Sequence, residues 1–375
     1  MAPVLIVLWL LHAYIGWRLI PALGFAPALQ WLLGVLLAGL YLLMPLSLLA
    51  RRIRRQPLSD RLAGAGVVAM GLFSSLFVLT LLRDLLGLPL WIGAPWLAQP
   101  AWLGPASALA VPALAVLATL WGYFNARRTA RVVRVDVPIA GLAPDLHGFS
   151  IAQISDVHVG PTIKRAYVEA IVARTNALQA DLVAITGDLV DGSVQHLAVH
   201  VAPLAALQSR HGTYFVTGNH EYYCGAQAWV DELRRLGLRV LLNEHVLLRR
   251  GAATLALAGV TDYGAHNFDA TQRSDPQAAI AGAPADAQLR VLLAHQPRSA
   301  VAAARAGFDL QLSGHTHGGQ FLPWKWFVRL QQPFTAGLHR WQQLWVYTSR
   351  GTGYWGPPKR LGAPSEITHL RLVPG

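Results

Sequence analysis

A chain of 375 residues is long enough for two ordinary domains, and its composition divides it unequally. The first 125 residues hold seven of the 31 Lys and Arg, all of them Arg, and two of the 19 Asp and Glu. So few charges over that length exclude a soluble first third and describe a membrane domain.

Four apolar spans follow in chain order, at about 4–20, 28–50, 62–82 and 105–124. Each approaches the ~20 residues that cross a hydrocarbon core. The first lacks the basic start and small-residue cleavage site of a signal peptide, so it is expected to be retained as a span. Arg51, Arg52, Arg54, Arg55 and Arg61 lie between the second and third spans, and Arg127, Arg128, Arg131 and Arg134 follow the fourth. Lys and Arg accumulate on the cytoplasmic side. Both ends of a four-helix bundle in the cell inner membrane are therefore expected inside, with the rest of the chain in the cytoplasm. The net charge of +12 and pI near 10.4 come in good part from these juxtamembrane arginines. They are expected to face anionic headgroups, so the bilayer is the expected partner and nucleic acid is not. Cys224 is the single cysteine, which excludes an internal disulfide and a thiolate-rich zinc site.

Residues 126–146 read as a juxtamembrane linker and first strand. Beyond them, strand-like runs at 149–154, 182–186, 213–217, 254–260, 289–294, 310–312, 344–348 and 367–372 alternate with helical periodicity at 165–178, 226–236 and 299–306. That alternation predicts a layered α/β domain over 147–375. The Ala, Gly and Pro run at 278–287 reads as a surface loop. In α/β folds ligand sites gather beyond the carboxyl ends of strands, and five polar motifs lie there. They are Asp156-Val-His158, Gly187-Asp188-Leu-Val-Asp191, Gly218-Asn219-His220-Glu221, His295, and Gly314-His315-Thr-His317-Gly-Gly-Gln320.

Taken singly, most of these motifs are weak. Asp156 and His158 at i and i+2 reach one side of an extended strand end, but such spacing is common. Asp188 and Asp191 equally suit a turn and helix cap. The Asn219 amide is a neutral hard ligand, useful where negative charge already suffices. His295 alone reads as a core histidine. His315 and His317, flanked by glycines, are the strongest pair. Together the five motifs supply enough carboxylate, amide and imidazole for two divalent metals, the main equipment for cleaving a phosphate ester with water.

The ordered series resembles the calcineurin-like metallophosphoesterase superfamily over about 147–373. Gly318-Gly319-Gln320, Ser349-Arg350-Gly351 and Pro364-Ser-Glu366-Ile367 are similar to its often membrane-anchored bacterial branch. The resemblance implies a four-layer αββα sandwich behind the helical membrane domain. It implies one metal on Asp156, His158, Asp188 and His317, and a second on Asp188, Asn219, His295 and His315, with Asp188 bridging. Ligands of oxygen and nitrogen suit Mn²⁺, with Fe or Zn²⁺ as alternatives, better than Mg²⁺ alone. It further implies that hydroxide held between the cations attacks phosphorus, that His220 is the general acid, and that Asp191 orients it. Glu221 is assigned a structural role.

Reaction class is better defined than substrate. Trp324-Lys-Trp326-Phe327-Val-Arg329-Leu330 combines aromatic and basic residues of the kind that favour a headgroup boundary. It reads either as a membrane-dipping segment or as a cover for the sandwich edge. A phosphate-bearing lipid is the leading substrate class, with the pyrophosphate of UDP-2,3-diacylglucosamine as one concrete case. A general phosphodiesterase, phosphatase or nuclease is the alternative. A reading of another class makes the spans a sensor or carrier with the metal domain as effector. Against it, His12 and Arg18 are nearly the only ionisable groups at membrane depth.

Overall fold

A computed structural model describes residues 2–53, 55–93 and 104–375. Arg54, one of the arginines used for orientation, lies outside them. Two compact units are present. The first comprises residues 1–124 with the short segment Gly356–Lys359, and the second comprises Asn125–Trp355 and Arg360–Gly375.

The first unit contains helices α1 (Ala2–Leu19), α2 (Pro27–Leu49), α3 (Leu58–Gly93) and α4 (Pro105–Arg127). All four are long and apolar enough to cross a membrane. Ile15, Leu19, Met44, Phe73 and Val111 pack inward, while Trp31, Val35, Leu36 and Leu117 point out. Helices apolar on every side match lipid, not water. Helix α3 runs well past the expected end at residue 82. The charges there find partners: Asp84 accepts from Arg18 Nε at 2.7 Å and from the Tyr14 hydroxyl at 2.7 Å, and Arg83 Nε donates to Ser107. His12 stacks on Phe73 and its Nδ1 lies 2.7 Å from the Leu8 carbonyl. The Lys359 ammonium donates to the Gly71 carbonyl, Ser75 and Thr119, which accounts for the grouping of its segment with the helices.

The second unit follows the expected alternation. It runs β1 (Arg131–Ile139), β2 (Ser150–Ile154), α5 (Arg165–Asn176), β3 (Leu182–Ile185), α6 (Val194–Val201), β4 (Thr213–Phe215), α7 (Asn219–Cys224), α8 (Ala226–Arg235) and β5 (Arg239–Val240). It continues through β6 (Glu244–Arg250), β7 (Ala253–Gly259), α9 (Pro276–Ile280), β8 (Leu289–Leu293), α10 (Ala300–Arg305), β9 (Leu310–Ser313), β10 (Gly337–Trp341), β11 (Leu344–Thr348) and β12 (Glu366–Pro374). Two six-stranded sheets form, in the orders β1-β12-β2-β3-β4-β5 and β10-β11-β9-β8-β7-β6.

Their facing sides meet through Ile151, Leu182, Tyr214, Leu255, Val291 and Leu312. The outer face of the first sheet packs Val183, Ile185 and Phe215 against Ile171, Trp229 and Leu233 of the helices. The outer face of the second packs Ala256, Ala258 and Leu292 against Ile280, Ala300 and Ala303. The result is the expected four-layer αββα sandwich. Strands buried on both faces read as continuous apolar runs, which is why β3 and β8 were easily seen.

Three strands lie outside the expected runs: β5, β6 and β10. Strand β6 pairs only with β7 and is an edge strand, so its Glu244, His245, Arg249 and Arg250 obscure any alternation. The surface loop expected at 278–287 begins instead inside α9, whose Ala279 and Ile280 are buried. Alanine there fits close helix-to-sheet packing and does not signal a loop.

Candidate metal centre

The five motifs converge beyond the carboxyl ends of β2, β3, β4, β8 and β9. The local backbone differs from the extended strand end expected for Asp156 with His158. Asp156, His158, Asp188, His315 and His317 all have φ between 51° and 70°. A left-handed conformation is uncommon outside glycine and costs about 1–3 kcal/mol per residue. Five such residues in one site aim their side chains inward through sharp turns at the strand ends. The motif glycines have a steric reason. A Cβ on Gly218 would lie 2.2 Å from Asp188 Oδ1, and one on Gly314 would lie 1.9 Å from Ser155 Oγ and 2.2 Å from Asp156 Oδ2.

Two donor groups result, Asp156 with His158 and His317, and Asp188 with His295 and His315. In the first, the Nε2 atoms of His158 and His317 are 3.0 Å apart, and His317 Nε2 is 3.5 Å from Asp156 Oδ1. In the second, His295 Nε2 is 3.0 Å from Asp188 Oδ2 and 3.2 Å from His315 Nδ1. Asp188 Oδ2 also lies 3.9 Å from His158 Nε2, so this one carboxylate stands between the groups.

The donors fit metal ions on several counts. Asp156 Oδ2 and Asn219 Oδ1 are buried without a hydrogen-bond partner, an arrangement that costs free energy unless something else satisfies them. Imidazole nitrogens crowded at 3.0 Å need a shared cation or a shared proton. Burial and the neighbouring His158 and Arg360 hold the His317 imidazole well below its usual range. Burial and His295 hold His315 down to about 3. Both are thereby kept as neutral lone-pair donors, the form that binds a metal.

A third group lies alongside, formed by His158, Asp191 and His220. Asp191 Oδ1 is 2.6 Å from His220 Nδ1 and 3.0 Å from His158 Nδ1. Sequence reasoning paired Asp191 with His220 alone, whereas its carboxylate is shared with an imidazole of the first donor group. Burial opposes ionisation of Asp191, but the two histidines outweigh it and hold the carboxyl well below the usual range. Burial likewise disfavours a charged His220. The Asp191 bond and the charge of Asp188 prevail and raise it to about 9.

Four further residues support this arrangement. Glu221 is fully buried and accepts the backbone N–H groups of Asp188, Leu189 and Gly218 at 3.0, 2.8 and 2.7 Å, tying two donor loops together. Its motif position made it visible, and its structural assignment becomes specific here. Arg360 is 1% exposed. It donates to the carbonyls of His317, Arg350, Gly353 and Ala363, and its Nη2 lies 3.1 Å from His317 Nδ1. In sequence it was one basic residue of a Gly- and Pro-rich stretch, with nothing to mark it. Asp262, also buried, accepts from Gln296 Nε2 at 3.0 and 3.1 Å, just after His295. Gln320, the last residue of its motif, bonds both backbone groups of Trp355. The segment Trp324–Leu330 forms two short 3₁₀ turns, with Trp326, Phe327 and Leu330 exposed.

A two-sheet sandwich thus carries paired nitrogen and oxygen donor groups at its strand ends, able to hold metal ions. The family model described as Calcineurin-like phosphoesterase matches residues 149–319. A metallophosphoesterase of Helicobacter pylori is 37% identical over 267 residues, covering 70% of this chain and 69% of the relative. The chain therefore belongs to the calcineurin-like phosphoesterase family. It is also 41% identical over 276 residues to a "Transmembrane protein with metallophosphoesterase domain" of Bos taurus, and 37% identical over 278 residues to one of Danio rerio. Each of these alignments covers 70% of this chain and 62% of the relative, so the chain spans about six-tenths of their length. With four apolar helices and relatives so named, this is a membrane protein.

Proposed function

We propose that the protein is a membrane-anchored phosphoesterase that hydrolyses a phosphodiester or pyrophosphate bond using two divalent metals. The observation carrying this reading is Asp188 Oδ2, set between two donor groups with the Asp191–His220 pair beside them. Asp156, His158, Asp188 and His317 would hold one ion, and Asp188, Asn219, His295 and His315 the other. Mn²⁺ is the favoured metal, with Fe or Zn²⁺ as alternatives. When bound, such ions supply activated water and neutralise charge on the phosphoryl oxygens. The chain's own residues do the rest. Asp191 accepts from His220 Nδ1–H and so fixes the ring with Nε2 directed toward Asp188, 4.0 Å away. A proton on that Nε2 passes to the leaving oxygen, which is general acid catalysis. Glu221 keeps the Asp188 and Gly218 loops at a constant separation throughout.

The substrate we favour is a membrane-associated phosphate-bearing lipid, for which UDP-2,3-diacylglucosamine serves as the concrete case. Four apolar helices tether the metal domain to a bilayer, and the exposed Trp326, Phe327 and Leu330 with neighbouring Lys325 and Arg329 suit a headgroup boundary. The arginine distribution supports a cytoplasmic position for that domain at the inner membrane. The test is Mn²⁺-supplemented turnover of a panel: a nucleotide-linked acyl sugar, a glycerophospholipid, an aryl phosphodiester and single-stranded DNA. Preference for the first two is expected. Turnover of the DNA or the aryl diester alone would contradict the lipid assignment, and no turnover of any would contradict the hydrolase.

A further inference from the structure

Around His220 the chain spends several large aromatic residues on solvent. Tyr223 is 62% exposed, Trp355 54% and Phe268 56%. Adjacent Tyr222 shows the alternative: it is 9% exposed and its hydroxyl donates to Gln272 Oε1 at 2.7 Å. The exposed rings are not scattered. The His220 ring meets Tyr223 at 5.2 Å and Trp355 at 5.7 Å, with interplanar angles of 67° and 77°, and Phe268 lies 5.6 Å beyond Tyr223. Tyr223 follows His220 by three residues on α7, but Trp355 and Phe268 come from distant chain segments, so sequence proximity does not account for their joining the group.

The backbone that carries Trp355 is also held firmly. Gln320 Nε2 donates to its main-chain carbonyl at 2.8 Å, and its main-chain N–H donates to Gln320 Oε1 at 2.9 Å. That glutamine closes the turn begun by His315 and His317, so the loop carrying two donor histidines also anchors the main chain from which an exposed indole projects. Exposed beside the His220 ring on an anchored backbone, Trp355 suits contact with a ligand.

Direction follows from His220. Its Nδ1 is engaged by Asp191, which leaves Nε2 to meet the leaving oxygen. Whatever that oxygen carries emerges beside the rings flanking His220. We propose that Trp355 and Tyr223, extended by Phe268, form a leaving-group subsite that takes a planar ring, a nucleobase or an aryl group. Stacking of one base on an aromatic side chain changes affinity by about tenfold or more, and any ring with a π-face qualifies. The inference rests on the phosphoesterase reading and narrows it. Among nucleotide-linked lipids, the nucleotide end would lie at the rings.

The test uses the full chain in detergent with Mn²⁺ and diesters sharing one phosphoryl part. Their leaving groups are phenol, a fluoroalkyl alcohol of matched acidity, and octanol. Trp355→Ala is expected to lower the preference for phenyl over fluoroalkyl in kcat/KM by about tenfold, mainly through KM, and Trp355→Phe to restore most of it. Equilibrium binding gives a readout without turnover. A nucleoside 5′-monophosphate should bind about tenfold tighter than ribose 5-phosphate, and Trp355→Ala should remove that difference. Equal losses on all three esters, or a loss confined to octyl, would overturn the ring subsite. If the wild type hydrolyses neither these esters nor the nucleotide-linked acyl sugar and glycerophospholipid, the phosphoesterase reading fails, and the binding comparison still decides whether the rings take a base.

Discussion

The two units of this protein treat charge in opposite ways. Among the described residues of the apolar helices, Arg18 and Asp84 neutralise each other at 2.7 Å, and the outward surface is Leu, Val and Trp. In the αββα unit, buried Asp156 and Asp188, half-buried Asp191 and the buried or half-buried His158, His295, His315 and His317 are pressed together at strand ends, with two carboxylate or amide oxygens unsatisfied. A self-neutralised pair needs nothing further. A cluster of crowded lone pairs needs cations, and left-handed backbone at five donors is the structural cost of assembling it. The contrast supports the proposal of an anchor beside a reactive centre.

Substitutions can test that separation, and the largest effects belong to the centre. Asp188→Ala or His315→Ala should abolish hydrolysis while the chain stays folded and membrane-bound, as read by turnover and membrane fractionation. His220→Ala should keep both metals and lose roughly 10²–10⁴-fold in kcat. Loss of metal from that variant, measured by elemental analysis, would make His220 a ligand. Asp191→Asn should lower metal affinity and rate together, by about 10–100-fold, because its carboxylate supports His158 as well as His220. In the apolar unit, Asp84→Ala removes the carboxylate that pairs with Arg18 and should lower stability by about 1–3 kcal/mol in thermal or denaturant unfolding. Its turnover of a soluble diester should stay within about twofold. A large fall in kcat would mean that the helices do more than anchor. A reporter fused at the C-terminus should read as cytoplasmic, and a periplasmic readout would contradict the arginine-based orientation.

How much was legible in sequence depended on whether a residue's neighbours in the chain are also its neighbours in space. Spans and doubly buried strands announce themselves by composition, and all seven donor residues sit in short motifs ending such strands. Their backbone was less legible. Spacing at i and i+2 suggests an extended strand, but φ near +50° is imposed by the converging loops. Arg360 and Trp355 were invisible because their partners, His317 and Gln320, lie about forty residues away in the chain. Edge strand β6 was hidden because an edge tolerates the charges that blur its pattern. Long α3 was underestimated because Arg83 and Asp84 read as a loop until their partners on α1 and α4 were placed.

Asp188 is proposed to join two metal positions, and metal stoichiometry tests that role directly. After equilibrium dialysis against Mn²⁺, the full chain should hold two ions per molecule, and Asp188→Ala should weaken both sites. A wild type that saturates at one ion, or an Asp188→Ala variant that keeps two with undiminished turnover, would contradict the account.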